Sequence, residues 1–363
     1  MYQTSELELN KLLSLVMERN ASDLHLVVGE PPVLRIDGVL VRLDDYEIMN
    51  LESIQNIIDI LLNPAQKEVF EKDYDVDLSY SYKDNVRFRI NVYKQKGLLA
   101  AAFRLIPNHI KTIQELNLPE ILLRFTQVKE GLVLVVGPTG HGKSTTLAAL
   151  VDYINITRAE HILTIEDPVE FIFNPQKSII NQREVDVDTP SYAQALKSSL
   201  REDANVILVG EMRDLESISS VITIAETGHL VLATLHTNDA PQTIDRIIDV
   251  FPPYQQAQVR SQLANLLVGI VSIRLIPKIG GGRVPAVEIL LNNNAVRNII
   301  REGKTYELNS SIQTSLEDGM IPMDRALARL VQDGQISLED AQAYVKDMDY
   351  FSSILSKGLG NAI

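Results

Sequence analysis

The chain of 363 residues contains no cysteine. That absence removes disulfides, thiol catalysis and cysteine-ligated zinc together, and it agrees with a reducing cytosol. No stretch approaches the roughly 18–20 consecutive apolar residues that a membrane-spanning helix needs, and no basic segment followed by an apolar one opens the chain. The expectation is a protein that stays in the compartment where it is made. Positive charge is in deficit, with 34 Lys and Arg against 48 Asp and Glu, a net charge of -14. Coating DNA or RNA draws on clustered Lys and Arg that release counterions, so no nucleic-acid partner is expected. Internal repeats and low-complexity tracts are lacking too. What is present, 45% hydrophobic and 23% charged residues, is the balance of a globular protein long enough for about two domains.

Against these absences stands Gly137-Pro138-Thr139-Gly140-His141-Gly142-Lys143-Ser144-Thr145, preceded by the apolar run 132–136 and followed by helix formers to Leu150. Strand, glycine-rich loop and helix start, in that order, make a phosphate loop. The glycines let backbone N–H groups converge on phosphate oxygens without a side chain intervening, and the helix aims its positive end at the same anion. Lys143 neutralises β and γ oxygens, and the Ser144 hydroxyl is the ligand such loops give to Mg2+. A nucleoside triphosphate is therefore the expected ligand.

Residues 6–20 carry Leu9, Leu12, Leu13, Val16 and Met17 at helical spacing. Short strands are predicted at 23–28, 33–38, 39–41, 76–80, 86–92 and 98–105, with a turn at Asp37-Gly38 and one helix over 51–71. The first third is thus a small mixed α+β domain. A polar connector begins at Ile106-Pro107-Asn108 and ends near Pro119. Beyond it, apolar runs at 132–136, 161–165, 205–209 and 230–235 alternate with helical stretches, as a parallel sheet covered on both faces requires. From Ala295 onward the pattern is helical, including 324–332 and 338–345, the latter opened by a Ser337-x-x-Asp340 cap. Residues 351–363 show little periodicity and are expected to fray.

A phosphate loop needs an acidic partner at a neighbouring strand end to hold Mg2+ or orient the attacking water. Glu166 and Asp167 follow the run 162–165, and Glu211 follows 206–210, so each emerges at the carboxyl edge where ligands of open α/β sheets sit. A plainer account has Glu211 only pairing with Arg213, and Asp167 only shaping a turn ahead of Pro168. His229 and His236 bracket 230–235 at an odd separation, so on one straight strand they face opposite sides and cannot share a site unless one or both lie in loops. Local hydrogen bonding at the strand ends accounts for either one equally well. His25 and His161 read as structural strand residues. His141 faces the polyphosphate or a neighbouring subunit, or else is a tolerated solvent-facing position. Arg87, Arg89 and Arg104 interleave with apolar residues on adjacent strands, as guanidinium fingers for a γ-phosphate or as a solvated sheet face. Arg201-Glu202-Asp203 and Glu211-Met212-Arg213-Asp214 read as pairing networks.

Taken together, five segments go beyond a generic phosphate loop. Ser22-Asp23-Leu24-His25-Leu26, Thr164-Ile165-Glu166-Asp167-Pro168-Val169-Glu170, Gly210-Glu211-Met212-Arg213-Asp214, Ala225-Glu226-Thr227-Gly228-His229-Leu230 and Thr234-Leu235-His236-Thr237-Asn238 resemble the secretion ATPase superfamily of types II and IV. Ala295-Val296-Arg297-Asn298-Ile299-Ile300-Arg301-Glu302 looks like the C-terminal signature of its pilus-retraction branch. The likeness runs in the family's order along most of the chain. It implies a PAS-like α+β domain over 1–106, a linker over 107–118, and a RecA-like P-loop NTPase domain over 119–363 whose part from 295 is helical. It also implies a homohexameric ring that binds ATP and Mg2+.

By the same resemblance, Gly137 to Thr145 hold the nucleotide, and Ser144, Glu166 and Glu211 surround Mg2+. Glu166 falls in the family's acidic box and Glu211 in its second acidic motif, as the residue that activates water. His229 and His236 make its histidine box, with His229 the donor to the γ-phosphate and His236 a nucleotide contact. Arg89 and Arg104 match the arginines that approach nucleotide from the N-terminal domain. Arg297, Asn298, Arg301 and Glu302 belong to retraction rather than hydrolysis. The implied machine is a cytoplasmic motor, peripheral at the inner-membrane base of a type IV pilus, that drives pilus retraction and twitching motility. Its implied partners are an inner-membrane platform protein, pilin indirectly, and an accessory retraction ATPase.

Three departures from the family pattern bear on this. His141 replaces a small residue, usually Ser, which opens nucleotide affinity to pH. Val296 and Ile299 vary the signature's Ile and Leu but keep its apolar face. The four-cysteine metal module and longer N-terminal region of the extension and type II secretion branches are absent, which argues against those branches. The rival readings are an accessory retraction ATPase, a non-hydrolysing ATP-binding assembly scaffold and a DNA-translocating motor. The first is disfavoured by the 295–302 signature, the second by the presence of both Glu166 and Glu211, and the third by the acidic balance.

Overall fold

In a computed structural model that describes residues 2–36, 38–83, 86–106 and 109–357, the chain has a mixed α/β fold in two units. One is Met1–His109 with Glu170–Ile172, the other Ile110–Val169 with Phe173–Ile363. Asp37 of the predicted turn, and Pro107 and Asn108 of the connector, lie outside the described residues.

The first unit runs α1 (Tyr2–Glu18), β1 (Asp23–Val27), β2 (Val33–Ile36), β3 (Val39–Arg42), α2 (Leu51–Leu61), α3 (Pro64–Asp73), β4 (Asp75–Tyr82), β5 (Val86–Gln95) and β6 (Leu98–Ile106). Its strands form one antiparallel sheet in the order β3-β2-β1-β6-β5-β4. Strict alternation along β5 buries Val86, Phe88, Ile90 and Val92 in one core with Leu9, Leu13, Ile54 and Ile57 of the helices. Met17, at the rim of the α1 stripe, is exposed. Periodicity predicts a single helix over 51–71, but the structure has two. Pro64 has no N–H to continue α2 yet suits the first turn of α3. Asn63 caps that turn by accepting the Gln66 N–H at 2.9 Å, while the Gln66 side chain accepts the Asn63 N–H at 3.1 Å.

The second unit continues with β7 (Gly131–Val136), α4 (Lys143–Thr157), β8 (His161–Glu166), β9 (Ile179–Glu184), α5 (Tyr192–Ser199), β10 (Val206–Val209), α6 (Leu215–Glu226) and β11 (Leu230–Leu235). It closes with α7 (Ala240–Asp249), α8 (Pro253–Leu266), β12 (Leu267–Pro277), β13 (Arg283–Leu291), α9 (Asn294–Glu302), α10 (Leu308–Thr314), α11 (Met323–Gln332), α12 (Leu338–Gln342) and α13 (Met348–Lys357). The sheet order is β13-β12-β7-β11-β10-β8-β9, parallel except for the antiparallel edge strand β13. Every residue of β7, β10 and β11 is buried, which is why these strands read as unbroken apolar runs.

Three strands escape the sequence reading, each for a different reason. β9 has exposed and half-buried polar residues at the sheet edge. β12 follows α8 without an intervening turn residue, so nothing punctuates the change of period. β13 contains Pro285, which argues against a central strand and is tolerated on an edge. Gly269 marks an irregularity in β12 where the Phe125 ring lies against the strand: a Cβ there would sit 2.5 Å from Phe125 Cε1 and 2.6 Å from the Leu290 oxygen.

The C-terminal helices depart from expectation at two points. The helix opened by Ser337 stops at Gln342, short of 345, although the cap is present, with the Asp340 N–H donating to Ser337 Oγ at 3.0 Å. Residues 348–357 form α13 rather than fraying, because Phe351 and Ile354 are buried with Leu327 and Ala328 of α11. The rest of that predicted fraying segment, 358–363, lies outside the described residues.

A cluster of buried carboxylates around a partly exposed lysine ties this region to the sheet. Lys346 Nζ lies 3.1 Å from both Glu288 Oε2 and Asp239 Oδ2, and Asp324 accepts the N–H groups of Lys346 and Asp347 at 2.8 and 3.0 Å. Burial alone would lower the Lys346 pKa, but the Glu288 and Asp239 carboxylates outweigh it and hold the ammonium above its ordinary 10.5. Lys346→Met leaves both carboxylates without their cation and is expected to cost about 1–3 kcal/mol, discounted because the lysine side chain is partly exposed. A folded pKa raised above the unfolded one means that this stabilisation is complete below pH 10.5 and fades as pH rises through the raised value. Thermal melts should therefore show a Tm gap between wild type and Lys346→Met that is constant at neutral pH and closes above that point.

Candidate functional site

Because β7, β11, β10 and β8 are parallel and in register, their carboxyl ends at Val136, Leu235, Val209 and Glu166 open on one edge. The phosphate loop leaves β7 there and enters α4 at Lys143, with Gly142 as N-cap at φ 89. The α4 N-terminus thus carries Lys143, Ser144 and Thr145 in the first turn, whose N–H groups lie outside the helix's own ladder and, with the helix dipole, favour an anion.

Lys143 is buried, and its Nζ donates to the carbonyls of Gly137 at 2.9 Å and Pro138 at 3.1 Å. It also lies 3.4 Å from His236 Nδ1, which Thr139 Oγ1 approaches at 3.2 Å. An ammonium can only donate, so Nδ1 is the acceptor and the His236 proton sits on Nε2. That Nε2 stands 3.1 Å from Glu211 Oε1. His236 therefore links the phosphate loop to the carboxylate beyond β10.

Glu211 is shared rather than free. Its Oε2 accepts from Arg213 Nε at 2.8 Å, and Arg213 Nη1 reaches Asp167 Oδ2 at 3.7 Å. The plain pairing and the place at the site are both real. The bond to Glu211 holds the Arg213 guanidinium above its ordinary pKa, which keeps it cationic throughout. Glu166, buried at the end of β8, accepts from Thr164 Oγ1 at 2.7 Å and Gln182 Nε2 at 3.5 Å. Asp214 stands apart from the pairing network read for it: it caps α6, accepting the Ser217 N–H at 2.8 Å, and that bond holds its carboxyl below the usual range.

The two box histidines separate. His229 precedes β11, and its Nδ1 is engaged by the Ile224 carbonyl at 3.1 Å and Thr227 Oγ1 at 3.0 Å. Six strand residues, about 20 Å, lie between it and His236. The structure thus brings His236 to the loop and Glu211, and leaves His229 at the far end of the strand. Arg89 and Arg104 stand opposite each other on β5 and β6 of the first unit. Arg104 Nε donates to Asp23 Oδ1 at 2.9 Å, and Arg89 lies 3.7 Å from Asp77. On α9, Val296 and Ile300 are buried, Arg301 donates to Asn265 at 2.6 Å, and Arg297 lies 3.4 Å from Asn294.

Tyr192 is a site residue that sequence gives no signal for. Its hydroxyl occupies the space beside Gly210 where a Cβ would sit at 2.9 Å. Burial, with Asp167, Glu166 and Glu211 nearby, pushes its pKa up, so it remains a neutral phenol among carboxylates. Arg274 and Arg283, which reach Asn238 at 2.7 Å and the Gly140 carbonyl at 3.2 Å, were equally hidden because they sit on β12 and β13.

Residues 3–283 match the family model described as type II/IV secretion system protein. The chain is 46% identical to the "Type IV pilus retractation ATPase PilT" of Pseudomonas aeruginosa, over 95% of this chain and 100% of that protein. It is 39% identical to the type IV pilus ATPase PilU of the same organism, over 93% of this chain and 88% of the other. Among solved structures, the crystal structure of the pilus retraction motor PilT with bound ADP superposes with a TM-score of 0.89 at 46% identity, covering 95% of this chain and 98% of that one. From the phosphate loop to the carboxylate edge, and over most of its length, the chain belongs to the type II/IV secretion system protein family.

Proposed function

We propose that the chain is an ATP-hydrolysing motor that retracts type IV pili and so produces twitching motility. The observation that carries this is the linked set Lys143, His236 and Glu211 at the carboxyl edge of the parallel sheet, in a chain 46% identical to a retraction ATPase. Lys143 and the α4 N-terminus hold the β and γ phosphates, Glu211 orients and deprotonates the attacking water, and His236, which joins the loop to Glu211, senses the γ-phosphate. That last role moves to His236 because His229 is bonded at the opposite strand end.

The donor set fits Mg2+. This ion takes one or two carboxylates together with phosphate oxygens and waters, and Glu166 at the end of β8 and Glu211 just beyond β10 supply two carboxylates at the sheet edge where the loop enters α4. Ser144, Glu166 and Glu211 would hold it, and when bound it would neutralise charge on the triphosphate. We assign the first unit to the PAS-like class and the second to the RecA-like class, working as a homohexamer in the cytoplasm against an inner-membrane platform protein. Arg89 and Arg104 are the guanidinium donors of the assembled ring. No helix among the described residues is long and apolar enough to cross a membrane.

An accessory retraction ATPase is the second reading, supported by the 39% identical relative, and the 295–302 signature favours the first. Deleting the gene in its own bacterium is expected to abolish twitching and to leave surface pili in excess, restored by wild type and not by Glu211→Gln. Unchanged twitching would refute the retraction reading.

A further inference from the structure

β12 outruns its neighbour. Its ladder with β7 ends where Ser272 meets Val136, yet β12 continues to Pro277. Past that point β7 has become the phosphate loop, which crosses the edge that β12 leaves open. A Cβ on Gly137 would overlap the Ile273 carbonyl oxygen, so the crossing is close. Two residues on, Leu275 stands opposite Pro285 on β13, and the Leu275 N–H is turned to the phosphate loop. It donates to His141 Nδ1 at 2.9 Å. From the far strand of the same hairpin, Arg283 Nη1 donates to the Gly140 carbonyl at 3.2 Å.

We propose that His141 is a positioning residue: by accepting the Leu275 N–H at Nδ1, its imidazole pins the tip of the phosphate loop to β12 and orders it for nucleotide. The loop needs such a tie. Gly137, Gly140 and Gly142 all have positive φ, and glycine loses the most conformational freedom on ordering. The bond that closes the loop on itself, His141 N–H to the Pro138 carbonyl, is long at 3.4 Å. With Leu275 as donor, the imidazole proton must sit on Nε2. The groups around it agree: burial first, then Arg274 and Arg283 from the hairpin and Lys143 from α4, all lower the His141 pKa and favour the neutral ring. His141 therefore faces the protein's own strand, unlike both sequence readings of it. Ordering a binding loop in advance raises affinity by removing that cost from the binding step.

The proposal rests on the nucleotide reading of the loop, and one experiment separates the two. Titrating a fluorescent ADP analogue with Mg2+ into the full chain should give His141→Ala about tenfold weaker binding than wild type. His141→Asn, whose Oδ1 can accept the same N–H, should recover binding to within about threefold. Hydrogen exchange of the Leu275 amide should be slow in wild type and His141→Asn, and fast in His141→Ala. Equal affinity of His141→Ala and wild type, or a His141→Asn variant as weak as His141→Ala, would overturn the proposal. No binding by wild type would overturn the nucleotide reading itself, and this inference with it.

Discussion

Replacing Glu211 with Gln is expected to slow steady-state ATP hydrolysis about 100- to 1000-fold, the scale of a general base's contribution. Affinity for ATP should change by less than about threefold in the same variant. The split follows from the geometry. Gln keeps the length of Glu and an oxygen that can accept from His236 Nε2, which stands 3.1 Å from Oε1, so the link to the phosphate loop survives. What is lost is the anionic oxygen able to take a proton from water. Phosphate release and fluorescent-ATP titration on the same preparation measure the two halves separately. If affinity falls in parallel with rate, Glu211 serves only as the Mg2+ ligand also assigned to it and not as the base, and the water-activating role passes to Glu166, which is buried at the end of β8.

Lys143→Ala has the larger effect on binding. The ammonium is buried, and the two carbonyls it bonds, Gly137 and Pro138, belong to the loop that would wrap the phosphates. Alanine removes the charge-assisted bonds to β and γ oxygens and leaves both carbonyls without that donor. Nucleotide affinity should weaken about 100-fold, and kcat/KM should fall about 10³- to 10⁵-fold as transition-state stabilisation is lost as well. Lys143→Arg is not expected to rescue, because a planar fork cannot follow a compact ammonium between those two carbonyls. Retained affinity for the nucleotide in Lys143→Ala would move the phosphate site elsewhere.

Both predictions depend on how much of the site local sequence encodes. The phosphate loop was legible apart from the direction of His141, since its glycines, lysine and flanking apolar strand are contiguous and obey local rules. Glu166 and Glu211 were nearly as plain, because an acidic residue after an unbroken apolar run marks the carboxyl end of a buried parallel strand. The histidines were not. Strand alternation says that residues seven apart face opposite sides, but both lie outside β11, so face was never the deciding variable; the deciding one is which end of the strand each occupies. The break at Pro64 and the helix at 348–357 show the same limit. One turns on a cap formed by Asn63 and Gln66, the other on burial of Phe351 and Ile354 by a neighbouring helix.

By itself, then, the sequence determined the phosphate loop, the parallel sheet and the strand-end places of the two carboxylates, because each rests on short-range periodicity and on chemistry confined to a few consecutive residues. Only the tertiary structure decided that His236 and not His229 meets the loop, that Tyr192 stands among the carboxylates, and that His141 turns to Leu275. Each of these joins residues distant along the chain, and such contacts are set by strand order and register, which no local pattern records.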